Sequence, residues 1–399
     1  MKQRRVKITG IGFVTPAGVG KDSFRAGILA GKSFVTPVTR FPVEAGEFAA
    51  AEVLDFSIEA LIKNPAAKRL PRHTQFALAA SRLALEDAGI SAEVVDKLSP
   101  IVVTGISLMD SDIVNKTIQN VATKGPRFAL TRVLFQGPVA SVAAAVADTI
   151  GGGRTLTIQS ACCSGSDAIG HAMEMVARGE TDLAICGGTE APIFYHPMLE
   201  LKMAGLSPDT SENPGQLARP FDMWRTTGVI GEGACILVLE PESSPRPGYA
   251  FVSGYSFATD PRDEPGSGLF EAMRLCLANA RVSPRDIESV SAWGPGHKVI
   301  DAVEARALRE FFGHGIDTIP VVSIKGAIGN PFAAAGAIQV GCAALGMQES
   351  FIPPTVNWRN PDPACALNLS SQTRFIPFKT ALINSHGLSG TNSCLLLQK

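Results

Sequence analysis

The chain has almost no net charge: 36 Lys and Arg stand against 37 Asp and Glu, a formal −1. That balance gives no support for nucleic-acid or membrane-surface binding. No apolar run approaches the roughly 20 residues that span a bilayer. The eight cysteines include no CxxC pair and no Cys/His spacing suited to zinc, and adjacent Cys162 and Cys163 fit no familiar metal pattern. A chain of 399 residues needs no disulfide staples, so reduced thiols and a cytoplasmic location are expected. The start, MKQRRVKITGIGFVTPAG, has the basic head of a signal peptide. Its apolar stretch is short and broken by Gly10 and Gly12, so it reads as a first strand. Dinucleotide and phosphate-loop signatures are missing too: GIGFVTPAGVG lacks the third glycine, and GPGHKV has the wrong spacing. No nucleotide cofactor and no metal is expected.

What is present is ordinary globular composition, 45% hydrophobic and 18% charged. A single core stops growing at roughly 250–300 residues, so two domains or a duplicated core are expected. Internal similarity favours duplication. SRLALEDAGISAEVVD (81–96) is matched by MRLCLANARVSPRDIE (273–288), and the β-rich IVVTGIS (101–107) by VSAWGPG (290–296). TLTIQSACCSGSDAIG (155–170) is matched by VVSIKGAIGNPFAAAG (321–336), and LAICGGTEA (183–191) by ALINSHGLSGT (381–391). Four matches in one order imply two copies of one α/β unit with largely parallel central strands. The seam falls in PESSPRPGY (241–249), which divides the chain into 1–242 and 243–399. PPTVNWRNPDPA (353–364) marks a long loop in the second copy.

Within TLTIQSACCSGSDAIGHAMEM (155–175), residues Thr155 to Gln159 read as strand, and Ile169, Met173 and Val176 carry a helical period. One of Cys162 and Cys163 therefore sits at a helix N-terminus. There the dipole and free N–H groups favour a thiolate and lower the thiol pKa. The same N–H groups can hold the oxyanion of an acyl thioester. A buried structural cysteine is the competing reading.

VKITGIGFVTPAGVG, SACCSG, LAICGGTEAPI, RPFDMWRTTGVIGEGACILVLE, SIKGAIGNPFAAAGA and SHGLSGTN together resemble, in order, the motifs of the β-ketoacyl-carrier-protein synthases, or ketosynthases. The resemblance implies a thiolase-like fold: duplicated α/β halves in a five-layer α/β/α/β/α arrangement, forming an obligate dimer. It implies that Cys162, after the Ala of the "AC" pair, is the nucleophile of the first half. It also implies an acyl carrier protein as partner, its phosphopantetheine arm bringing the substrate. Lys68, Arg69 and Arg127 match basic positions near the family's entrance, where an acidic carrier docks; a solvated charged face is the alternative.

The pattern departs from the family at its two histidines. Trp293 of SAWGPGH and Asn330 of AIGNPF stand in their places. The family histidines hold the thioester carbonyl of a malonyl unit and stabilise its enolate. Indole has one donor and the amide two, and neither carries a proton as imidazole does. Lys325 and Glu304 match a family Lys and its carboxylate partner, expected to order the site as a buried pair. Leu388 stands for the Phe that gates the acyl tunnel, and its N–H is the expected second oxyanion donor beside that of Cys162. Ser389 replaces a Gly of that loop. His297 and His386 border the expected site and are the candidates for a relocated base. His171 is expected to be packed structure. His73 and His314 lie in surface-like sequence, and His196 is unassigned.

The expectation is a divergent ketosynthase that accepts an acyl group on Cys162 and transfers or condenses it without the two histidines, in fatty-acid or polyketide biosynthesis. The alternative is a non-catalytic subunit resembling a chain-length factor, paired with an active ketosynthase. Either would be a homodimer or a heterodimer with a ketosynthase, without nucleic-acid or membrane partners.

Overall fold

The computed structural model describes residues 4–42, 48–210 and 213–399. The first three residues of the basic head lie outside them. Ten strands form the main path of the large sheet: β1 (Val6–Thr15), β2 (Ile101–Gly105), β3 (Arg154–Ile158), β4 (Ala184–Glu190), β5 (Gly233–Pro241), β6 (Ala250–Thr259), β7 (Ser289–Ser291), β8 (Val321–Val322), β9 (Thr380–His386) and β10 (Thr391–Gln398). Their spatial order is β8-β7-β9-β10-β6-β1-β5-β4-β2-β3. Read outward from the centre, each side repeats one chain order, so the fold is two copies of one five-strand unit. Within the sheet the described strands of the two copies pair through β1 and β6, antiparallel at Lys7↔Phe251 and Ile8↔Ala250.

Six layer-forming helices cover the sheets: α1 (Arg72–Asp87), α2 (Ser141–Ile150), α3 (Ser164–Arg178), α4 (Ser267–Ala280), α5 (Lys298–Phe312) and α6 (Ala333–Glu349). Three cores separate the layers. One packs α1 and α2 on the first unit through Val102, Ile185, Ile236 and Val238. One packs α4 and α5 on the second through Val290, Leu382 and Leu396. The third lies between the sheets and takes α3 and α6. A helix covered on both sides must be apolar all round, and α6 is buried from Ala333 to Met347 except at Ala343. The result is the five-layer α/β/α/β/α arrangement.

One expectation needs correction. The strands are parallel only toward the edges, in β3-β2-β4 and β8-β7-β9. The centre is antiparallel, because β9 returns as β10 through a tight hairpin and β5 runs against both β1 and β4. The glycines that interrupt the first apolar run serve packing as well. A Cβ on Gly12 would lie 1.9 Å from the Ala80 carbonyl oxygen, so its absence lets β1 approach α1. No described helix is long and apolar enough to cross a membrane.

The N-termini of α3 and α6 cross without side chains between them. A Cβ on Gly165 would lie 2.2 Å from the Ala333 carbonyl oxygen. Gly165→Ala is expected to lower unfolding free energy by about 1–3 kcal/mol in urea melts. Gly315→Ala, with open space around it, should leave the midpoint unmoved; equal midpoints for both variants would refute the close-crossing argument.

Candidate functional site

After β3 the chain turns sharply: Ala161 adopts φ 53°, Cys163 caps α3, and Cys162 stands just ahead of the cap. The turn is pinned by Ser160 N–H donating to Ser164 Oγ at 2.9 Å and by Thr391 Oγ1 donating to Ser160 O at 3.3 Å. The cysteines diverge here. Cys163 is fully buried, its Sγ 3.4 Å from the Thr391 carbonyl. Cys162, 4% exposed, faces a cavity, and the backbone N–H groups of Leu388 and of Cys162 itself lie near enough to its sulfur to favour the thiolate.

The thiolate expected from the helix terminus is not what the structure favours. Burial, followed by the negative charge of Glu190, pushes the Cys162 thiol up to about 12, against the pull of the Leu388 N–H and Lys325. Glu190, at the end of β4, is itself fully buried and raised to about 7, despite hydrogen bonds from the Ser107 hydroxyl, Ser107 N–H at 3.0 Å and Leu108 N–H at 3.4 Å. Desolvation outweighs the helix terminus because the sulfur has almost no contact with water.

Trp293 occupies its buried position by a grip on its backbone. Its N–H donates to Glu304 Oε1 at 2.8 Å, that of Gly294 to Glu304 Oε2 at 2.8 Å, and Lys325 Nζ donates to the Trp293 carbonyl. Lys325 Nζ also donates to Gln339 Oε1 at 3.2 Å and lies 3.6 Å from the indole centroid. The expected Lys–Glu pair is thus indirect: the two charges clamp one peptide from opposite sides, and the indole covers the ammonium. Burial lowers the Lys325 pKa and raises that of Glu304. Asn330 is held by its main chain, its N–H donating to Val229 O at 2.7 Å and its carbonyl accepting from Gly231 N–H at 3.0 Å. Its side-chain Oδ1 is buried without a partner.

One small cavity brings together Cys162, Trp293, Asn330, His297, His386 and Leu388. It has about 20 Å³ of room, enough for a water and far less than a thioester needs. A second cavity of about 480 Å³, mostly apolar, lies across Ile300, His386 and Leu388 from the first. Leu388, with its side chain 58% exposed, stands between them. Glu304 lines the larger space and Lys325 lies behind Trp293, so neither opens on the sulfur.

The other histidines separate by environment. His73 is a correction: it is buried in α1, and desolvation lowers it to about 4. Its helix is buried over most of its length although the local sequence is polar enough to read as surface. His171 packs edge-on against Tyr255; His314 is fully exposed 3.6 Å from Asp317, and His196 is exposed beside Tyr195. Sequence reasoning passed over Glu190, whose signal was a lone carboxylate ending an apolar strand. It also passed over Asn392 and Asp260, which approach the site only through tertiary contacts. Glu190→Gln removes a charge that raises the Cys162 pKa, so Cys162 alkylation at pH 7–8 should quicken by about three- to tenfold. An unchanged rate-against-pH curve would refute that electrostatic link.

Residues 3–244 match the model for the beta-ketoacyl synthase N-terminal domain and residues 248–359 that for its C-terminal domain. The 3-oxoacyl-acyl-carrier-protein synthase 2 of Coxiella burnetii is 30% identical over 417 residues, covering 100% of this chain and 99% of that protein. Among solved structures, the ishigamide ketosynthase/chain length factor is 29% identical, with TM-score 0.92 over 100% of this chain and 99% of the other. A ketosynthase complex is 27% identical, with TM-score 0.89 over 99% of each chain; it contains a type II polyketide synthase acyl-carrier protein with its ketosynthase bound to the hexaketide. The repeated five-strand unit, the cysteine turn ahead of a central helix and these full-length matches have one reading: the chain belongs to the beta-ketoacyl synthase family.

Proposed function

We propose that this protein takes an acyl group from the phosphopantetheine thioester of a carrier protein onto Cys162 and passes it on without the family's two histidines. The observation that carries this reading is the cysteine at the turn ahead of α3, facing a cavity, with the backbone N–H groups of Leu388 and Cys162 near enough to favour its thiolate. Such a pair stabilises the oxyanion formed when the sulfur attacks a thioester, a contribution of about 10²–10³ per donor. Trp293 and Asn330 can each donate to a carbonyl but cannot shuttle a proton, so decarboxylative condensation is expected to be weak. Leu388 must swing away for the arm to reach the sulfur. Exposed Lys68, Arg69 and Arg127 are the proposed carrier-docking charges, with Lys68 also 2.6 Å from Glu59. Eight free cysteines suit a reducing cytoplasm.

The protein is proposed to act as a dimer. The path of strands ends at β3, an open edge. Leu134 and Phe135, 71% and 76% exposed, lie just before α2, which packs beside that edge. The partner is a second copy or a separate ketosynthase. The second possibility belongs to the alternative reading, a chain-length-factor-like subunit. The cramped space at Cys162 and its protonated thiol favour that alternative.

Incubation with acyl-carrier thioesters should give an adduct by intact mass spectrometry that disappears in Cys162→Ala. No adduct, together with tight co-purification with a complete ketosynthase, would move the assignment to the subunit reading. In light scattering, Leu134→Asp/Phe135→Asp should shift the protein from dimer toward monomer, with a lower melting temperature because association stabilises the folded chain. A variant that stays dimeric would place the interface elsewhere.

A further inference from the structure

A buried thiol that rests protonated needs a proton acceptor before it can attack. Four groups near Cys162 could serve, and their hydrogen bonds distinguish them. Glu190 accepts from the Ser107 hydroxyl, the Ser107 N–H and the Leu108 N–H and does not line the cavity at the sulfur. Lys325 is committed as a donor to the Trp293 carbonyl and to Gln339 Oε1. His297 caps α5: its Nδ1 accepts from Val299 N–H at 3.2 Å and Ile300 N–H at 3.4 Å. In the neutral ring the proton is then on Nε2, so His297 can donate into the cavity but has no free lone pair there.

His386 has the opposite tautomer. Its Nδ1 lies 2.7 Å from Asn392 Oδ1. The orientation of that amide is set independently, because Asn392 Nδ2 donates to Asp260 Oδ1 and to the Gly390 carbonyl, both at 3.0 Å. Asn392 therefore presents its oxygen, His386 Nδ1 carries the hydrogen, and Nε2 keeps its lone pair. His386 lines both the cavity at Cys162 and the larger one beside it. The Asp260–Asn392–His386 chain thus orients an imidazole at the junction of the two cavities.

We propose that His386 is the proton acceptor for Cys162, positioned by Asn392 and Asp260. This rests on the reading of Cys162 as acyl acceptor. The Cys162 S–H proton passes to His386 Nε2, directly or through the one water for which the small cavity has room. The sulfur bonds to the thioester carbonyl carbon, and the oxyanion rests on the N–H groups of Cys162 and Leu388. Collapse breaks the bond to the pantetheine sulfur, which leaves with the proton returned by the imidazolium. Asn330 Oδ1, buried and unpartnered in the same cavity, is placed to accept a hydrogen bond from that water.

The test reads the pH dependence of Cys162 alkylation by iodoacetamide, followed by peptide mass spectrometry, so that it does not depend on carrier recognition. The titratable and charged groups around His386 are Asp260, Arg262 and Glu304 on the larger cavity and Cys162 and His297 on the smaller. Glu190 and Lys325 act on Cys162 itself, so all profiles are compared in a Glu190→Gln background, with Lys325 common to every variant. The wild-type rate should show a pH inflection that depends on His386. His386→Phe and His386→Gln should both abolish it, leaving a rate that climbs steadily with pH, and should slow acyl transfer by about 10²–10⁴-fold. His297→Ser, which can still cap α5, should keep the inflection. An inflection that survives in both His386 variants, or is absent from the wild type, overturns the assignment. An intact inflection in a protein that takes no acyl group from any carrier would leave His386 as the acceptor and refute the proposed function instead.

Discussion

The molecule is organised around the crossing of two helix N-termini between two sheets. At Gly165, Gly188 and Ala333 the backbones come together with no side chain between them; a Cβ on Gly188 would lie 2.4 Å from the Ala333 carbonyl oxygen. Bringing α3 and α6 this close buries the Cys162 turn where the two copies meet. It also draws the loops of the second copy over the turn, with Trp293, Asn330 and the β9–β10 hairpin forming its walls. Interiors packed to crystal-like density leave little slack at such a crossing. The same closeness that assembles the site also desolvates its sulfur.

That desolvation sets the chemistry. A cysteine ahead of a helix would ordinarily gain acidity from the dipole, an effect worth about 0.3–1 kcal/mol near the surface. Burial acts in the opposite direction and is larger here, and the carboxylate of Glu190 adds to it. Trp293 shows a second effect of burial. It lies over the Lys325 ammonium, while Glu304 and Lys325 secure its peptide from either side.

Much of the architecture was legible in the sequence because it rests on local periodicity. The fourfold correspondence between 81–191 and 273–391 anticipated the repeated unit, and the β-branched run before Ala161 anticipated the strand that ends at the Cys162 turn. Errors arose where a residue's environment is supplied from far along the chain. His73 sits in a helix that the sequence alone reads as surface, yet the helix is covered by the first sheet. Lys325 and Glu304 looked like an ion pair, but a peptide lies between them.

The sequence by itself determined the family and the duplication, because each is a matter of which residue types stand in an ordered series of motifs. Only the tertiary structure decided the protonation of Cys162 and the difference between His297 and His386. A tautomer depends on what the other ring nitrogen bonds. For His386 that partner, Asn392, is held in turn by Asp260, 132 residues away. Desolvation likewise sums over atoms from every layer of the fold, a quantity no short stretch of sequence contains.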